Sequence, residues 1–208
     1  MLLTSNLSFS YSSSVAFQFP DLSVEESAHL LVLGRSGVGK TTLLHLLAGF
    51  LQAKSGSVSI DGEVSSTQRA ARRDRIRAEK IGMIYQVPHF IASLTLEENI
   101  FWAQKLAGQK VDRQRVEELL TELNLDHRKK AKISRLSQGE LQRASIIRGI
   151  IHQPKLILAD EPTSSLDDEN CQAVINMLEH QRKKVNAALV VVTHDSRLKE
   201  FFTQTVSL

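Results

Sequence analysis

Residues Gly34 to Thr41 read Gly-Arg-Ser-Gly-Val-Gly-Lys-Thr, and they stand between the apolar run Leu30-Leu31-Val32-Leu33 and the stretch Thr42 to Ala48. Leu43, Leu44, Leu46 and Leu47 give that stretch the pattern of a helix, stopped by Gly49. A strand, a glycine-rich loop and a helix in this order are the setting of a phosphate-binding loop in an α/β fold. Gly34, Gly37 and Gly39 allow the backbone to turn where a Cβ would clash. With Arg35, Ser36 and Val38 they can aim successive N–H groups at one anion. Lys40 should reach the β- and γ-phosphates as a mobile charge, and the Thr41 hydroxyl should ligate Mg²⁺. The dipole of the helix from Thr42 onward adds to the same site. The loop alone implies a nucleoside triphosphate but not its use.

The 208 residues suffice for one sizeable core, and 42% hydrophobic content is ordinary for a globular chain. The longest apolar run, Ala187 to Val192, is far too short to cross a bilayer. Met1-Leu2-Leu3-Thr4 lacks the charged start and long apolar stretch of a signal peptide. The expectation is a cytoplasmic chain that acts on a membrane only through a partner. Cys171 is the sole cysteine, which excludes an internal disulfide or a cysteine zinc site. The net charge of +3 is local: between Val64 and Lys80, Arg69, Arg72, Arg73, Arg75, Arg77 and Lys80 face only Asp74 and Glu79. No aromatic residue interleaves with these charges, so a solvated helix face is favoured and no nucleic-acid partner is expected.

Leu3 to Tyr11 and Val15 to Val24 read as antiparallel strands, and Ser57 to Ile60 as a further short strand turned by Asp61-Gly62. Ile81 to Tyr85 is a buried-type strand ending at Gln86. Helices are expected after the capping box at Thr95 and after Asp112, with no strand pattern between Val87 and Gln138. Strands return at Leu156 to Ala159 and Leu189 to Val192. The chain therefore reads as a phosphate-loop α/β core with a mostly parallel sheet, an N-terminal antiparallel β subdomain and an inserted helical subdomain.

Leu156 to Ala159 ends in Asp160 and Glu161. Strand ends in open α/β sheets face the ligand crevice, so Asp160 can hold Mg²⁺ and Glu161 can polarise an attacking water. Ser137 and Glu140, within Leu136-Ser137-Gln138-Gly139-Glu140, form a second capping box, and the same capped N-terminus is also an anion site.

In order, the motifs are the phosphate loop, Gln86, LSQGE at Leu136, LADE at Leu158, Ser165-Leu166-Asp167 and Thr193-His194-Asp195. Together they resemble the nucleotide-binding cassette of the ATP-binding cassette (ABC) family over nearly the whole chain. The resemblance implies one cassette domain, RecA-like over residues 1–86 and 141–208, with a helical subdomain over 87–140. It also implies ATP hydrolysis with Mg²⁺. Tyr11 is similar to the aromatic that stacks on adenine, with Phe9 and Phe17 as nearby competitors. The residues Gly34 to Thr42 then hold the phosphates, and Thr41, Gln86 and Asp160 the metal. Glu161, His194, Gln86 and Lys40 carry catalysis. Ser137 and Gly139 resemble the signature residues that bind the γ-phosphate across a dimer, and Asp167 the aspartate at its seam.

The resemblance further implies a homodimer in the ATP state and integral membrane permease subunits as partners, with the chain peripheral on the inner face of the membrane. Gln138 and Glu140 depart from the common LSGGQ form. The LSxGE pattern with Gln142-Arg143 leans toward cassettes of lipoprotein release and macrolide export. The alternative is a cassette that regulates a membrane partner without transport, as in cell division. Val87 to Ile91, apolar for a loop, reads either as a docking surface or as a segment buried against the core.

Overall fold

The computed structural model describes residues 1–12, 15–164 and 166–208; Ser165 of the Ser165-Leu166-Asp167 motif lies outside them. In chain order the first elements are β1 (Leu2–Ser12), β2 (Val15–Gln18), β3 (Ser23–Val24), β4 (His29–Leu33), α1 (Lys40–Leu47), β5 (Ser55–Ile60) and β6 (Glu63–Val64). Next come α2 (Ala70–Lys80), β7 (Ile81–Ile84), α3 (Leu96–Leu106), α4 (Arg113–Glu122) and α5 (Gln138–Ile150). The chain closes with β8 (Leu156–Asp160), α6 (Asp168–Lys184), β9 (Ala188–Thr193) and β10 (Thr205–Ser207).

The strands form two sheets. One is antiparallel, in the order β2-β1-β5-β6 with β3 also on β1; the other is parallel throughout, in the order β10-β4-β9-β8-β7. Every residue of β9 is buried, as expected for a central parallel strand covered on both faces. Alternation along the strands divides the core. Leu31, Ile157, Leu189 and Val191 pack toward α3, α4, α5 and α6. Leu30, Val32, Leu158, Val190 and Val192 pack toward α1 and the antiparallel sheet. Leu43, Leu44 and Leu47 of α1 are wholly buried on that second side, and truncating one of them to Ala should cost about 2–5 kcal/mol.

Because the sheet is parallel, β4, β7, β8 and β9 deliver their C-terminal ends to one edge. Register puts Leu33 beside Thr193, Asp160 beside Val192 and Ile84 beside Ala159. The phosphate loop, Gln86, the two acids and His194 all follow directly from these ends.

The inserted helices are defined by their caps. Thr95 and Glu98 make a reciprocal capping box on α3, Asp112 caps α4 through Arg115 N–H, and Ser137 and Glu140 make a second box on α5. Such caps contribute about 1 kcal/mol each. The basic side of α2 is matched locally: Arg72 pairs with Glu63, Arg75 with Glu79, Arg77 with Asp74, and Lys80 with Asp61 and Glu63. α5 lies directly on β7, and a Cβ on Gly82 would overlap the Gly149 carbonyl. That contact requires the absence of a side chain at Gly82.

Candidate active site

The loop between β4 and α1 is tied to the sheet by Gly34 N–H, which donates to the Thr193 carbonyl at 3.1 Å. Gly39 has φ +102°, and a side chain there would meet the Phe17 ring. The residue is therefore confined to glycine by backbone and by packing. α1 begins at Lys40 with no side-chain cap and no acidic residue in its first turn, so its leading N–H groups are left for an external anion. The Lys40 ammonium donates to the Gly34 and Arg35 carbonyls at 2.9 and 3.1 Å and lies 3.3 Å from Glu161 Oε1.

Glu161 is drawn into the site by an unusual backbone. Its φ is +46°, a left-handed conformation that costs an L-residue about 1–2 kcal/mol. The surroundings hold it there: Thr193 Oγ1 donates to Oε2 at 2.7 Å, the His194 N–H reaches the same oxygen at 3.3 Å, and His194 Nδ1 lies 3.0 Å from both carboxylate oxygens. Burial would raise this carboxyl, but the bonds from His194, Thr193 and Lys40 outweigh it and keep Glu161 below the usual carboxylate range.

Asp160, the preceding residue, is pushed the other way. Burial raises its carboxyl, the Thr41 hydroxyl bond opposes this, and the Glu161 charge adds to the rise. The Thr41 hydroxyl donates to Asp160 Oδ2 at 3.0 Å, while Asp160 Oδ1 is buried with no hydrogen-bond partner among the described residues. A buried carboxylate oxygen without a partner, beside a hydroxyl oxygen, fits a hard divalent cation such as Mg²⁺, which binds through few protein oxygens plus phosphate and water. Thr41 and Asp160, both expected to hold the metal, are in direct contact.

The other expected site residues lie around this cluster. Tyr11 is 61% exposed, stacks edge-on against Phe9 and Phe17, and its hydroxyl is 3.2 Å from Thr42 Oγ1. Arg35 and Ser36 are exposed on the loop, with Gly37 at φ +85° between them and Val38. Gln86 is exposed and lines a cavity of about 300 Å³ together with Gly139 and Glu161. Ser137 and Gly139 are exposed at the start of α5. Asp167 accepts the Asn170 N–H at 2.9 Å and so caps α6. In the Val87 to Ile91 loop, Val87 and Ile91 are exposed and Phe90 is half-buried, with the Arg148 guanidinium over its ring at 4.7 Å.

Residues 17–164 match the family model described as ABC transporter. The chain belongs to the ABC transporter family of ATP-binding cassettes. Among its relatives, the lipoprotein-releasing system ATP-binding protein LolD of Legionella pneumophila (strain Lens) is 36% identical, over 86% of this chain and 80% of that protein. The putative hemin import ATP-binding protein HrtA of Staphylococcus saprophyticus is 37% identical, over 90% of this chain and 85% of that one. The cassette MJ0796, solved as a dimer in a post-hydrolysis state with ADP and phosphate, is 27% identical with a TM-score of 0.89, covering all of this chain and 94% of that one. This cassette is an ATPase.

Three residues make contacts at the cluster or at the α5 cap that no motif announces. Thr193 was read only as the lead of the Thr193-His194-Asp195 motif, yet its hydroxyl is the shortest donor to Glu161. Phe17 was noted as a rival for adenine, and it packs on Gly39 instead. Arg128, outside every motif, reaches the Glu140 carboxylate at 2.7 Å.

Proposed function

We propose that two copies of this cassette close head to tail around two ATP molecules, and that closure and the opening after hydrolysis drive membrane-embedded partner subunits. The observation that carries this reading is that the catalytic cluster and the exposed α5 N-terminus make no bond to one another within the chain. Lys40, Thr41, Asp160, Glu161 and His194 are joined by direct contacts. The α5 N-terminus, with Ser137 and Gly139, stands exposed and bonds to none of them. A second chain would bring that end to the γ-phosphate, with Asp167 at the seam. The dimeric form of MJ0796 supports this arrangement.

Within each site Lys40 and the loop N–H groups bind the phosphates, and Tyr11 stacks on adenine. Thr41, Asp160 and Gln86 would hold Mg²⁺, which would neutralise phosphate charge when bound. Glu161, kept ionised, accepts hydrogen from the attacking water, and His194 orients it. Phosphoryl transfer needs positioning and charge stabilisation more than covalent chemistry. Residues 1–86 and 141–208 act as the catalytic core and 87–140 as the helical subdomain.

The surface for the membrane partner is a groove of about 940 Å³ between α2, β7, α3 and α5, lined by Met83, Tyr85, Ile91, Trp102, Leu106 and Arg148. Trp102 and Leu106 are 44% and 62% exposed, an apolar face without cover. Burial lowers the Arg148 guanidinium from its ordinary range, and no carboxylate of the described residues pairs with it. A partner segment with an apolar face and one carboxylate fits this groove. No helix among the described residues is long and apolar enough to cross a membrane. The chain then sits peripherally on the inner face of the membrane, bound to permease subunits. The LolD relative and the LSxGE pattern favour the lipoprotein-release type, whereas HrtA carries the name of an import protein.

The test is size-exclusion chromatography of Glu161→Gln with and without ATP and Mg²⁺. The variant should bind ATP and elute as a dimer only with nucleotide. A persistent monomer at saturating ATP would overturn the head-to-tail reading.

A further inference from the structure

We infer that Arg128 is a positioning residue for the Ser137 hydroxyl: by holding the Glu140 carboxylate, it leaves that hydroxyl free to donate to a phosphate oxygen. The inference rests on the head-to-tail reading above and assigns a role to a residue outside the site.

Its basis is an account of every hydrogen-bonding group in the α5 cap. Glu140 Oε2 accepts the Ser137 N–H at 2.7 Å, and Oε1 accepts Arg128 Nε–H at 2.7 Å. The Ser137 oxygen accepts the Glu140 N–H at 3.3 Å, so the serine spends a lone pair on the cap. Its single proton remains. The Ser137 hydroxyl also helps to lower the Glu140 carboxyl, but it makes no close bond to a carboxylate oxygen like the one from Thr95 to Glu98. A hydroxyl so placed at an exposed helix N-terminus can turn its proton to a phosphate oxygen.

The same molecule contains a control. α3 opens with an equivalent capping box, but no guanidinium holds its glutamate. There Glu98 Oε2 accepts both the Thr95 N–H at 2.7 Å and the Thr95 hydroxyl at 2.9 Å. The carboxylate consumes the hydroxyl proton, and the cap is a structural element only. The difference at α5 is Arg128, from the 3-10 turn Asp126–Arg128 that follows α4. The other basic side chain near Glu140 is His127, whose Nε2 lies 3.5 Å from Oε1 and whose side chain is 57% exposed. Glu140 itself is only 9% exposed, so the contact with Arg128 is partly shielded from water.

Removing Arg128 should let Glu140 turn to the Ser137 hydroxyl, as Glu98 does to Thr95. The cap and the fold survive, but the donor is lost to the γ-phosphate of the opposite chain. The experiment uses the full chain carrying Glu161→Gln, at pH 8, where histidine is ordinarily neutral. Sedimentation equilibrium measures the ATP-dependent dimer, and titration with a fluorescent ATP analogue measures nucleotide binding to the monomer. Arg128→Ala should weaken the dimer about tenfold, the lower end of what a charge-assisted hydrogen bond contributes. Monomer affinity for ATP should hold while the melting temperature falls only by what the lost Glu140 contact supplies, and Arg128→Lys should restore part of the dimer loss. Adding Ser137→Ala to Arg128→Ala should cost no more than Ser137→Ala alone.

An unchanged dimer constant in Arg128→Ala, or additive losses in the double variant, would overturn the inference. So would a parallel fall in monomer affinity and melting temperature, which marks a purely structural contact. If Glu161→Gln alone forms no ATP-dependent dimer, the head-to-tail reading fails first and this inference falls with it.

Discussion

The Lys40 ammonium lies 3.3 Å from Glu161 Oε1 while donating to two carbonyls of its own loop. The charge that would bind phosphate is thus already engaged with the residue that would activate water. A γ-phosphate entering the loop competes for Lys40, and its arrival would release Glu161 from one of its partners.

Lys40→Ala should therefore abolish nucleotide binding while leaving the chain folded. The loop carbonyls it satisfies are only partly buried, so the structural loss is small. Isothermal titration with ATP and Mg²⁺ checks this, and an unchanged affinity would remove the loop from the active site.

Asp160→Asn separates stability from activity. Burial raises the Asp160 carboxyl despite the Thr41 bond. A carboxyl raised in the folded chain lowers stability above its folded pKa, and that penalty disappears below the unfolded value. The amide carries no such penalty, so Asp160→Asn should melt at a higher temperature than the parent at pH 7. The advantage should vanish in acid. Hydrolysis should fall at least about a hundredfold with the loss of an anionic metal ligand. A melting temperature at or below the parent's at pH 7 would contradict the burial argument.

Ser137→Arg should retain ATP binding in the monomer and lose hydrolysis, because a bulky cation at the α5 N-terminus blocks the opposing chain. Phosphate release assayed beside equilibrium binding distinguishes the two. Full turnover would leave the signature end as a helix cap and nothing more.

Glu140 carries an acid dependence of the opposite sign to Asp160. The Ser137 N–H and the Arg128 guanidinium hold its carboxyl at about 2. The stability it supplies is complete above the ordinary glutamate range and fades as pH falls toward 2. Glu140→Gln should unfold at lower urea concentration at pH 7. The gap to the parent should close between about pH 4.5 and pH 2. Urea midpoints measured across that interval decide it, and a gap independent of pH would place the effect in packing.

Much of this fold is legible because its punctuation is local. Thr95, Asp112 and Ser137 announce their helices by residue type and spacing, and Gly49 ends α1 through chemistry that acts over one turn. The strands at Leu156 and Leu189 are evident because β8 and β9 are apolar on both faces. What escapes the sequence is contact across distance. The Thr41 and Asp160 groups that meet at 3.0 Å are 119 positions apart. Thr193 reaches Glu161 across 32 positions, through the pairing of neighbouring strands. Arg128 carries no pattern because a turn can aim a side chain anywhere. The left-handed φ of Glu161 is equally silent, since neither residue type nor periodicity foretells a strained glutamate.

The backbone contact between Gly82 and Gly149 has a mechanical consequence. It seats the far end of α5 on β7, while Ser137 occupies the near end, twelve residues and about 18 Å away. A tilt of about 5° pivoting there would carry the Ser137 hydroxyl about 1.6 Å, roughly the difference between a formed and a broken hydrogen bond. A helix pivoting there would act as a stiff pointer, and small strains at the sheet edge, close to the groove that includes Tyr85 and Arg148, would be magnified at its tip.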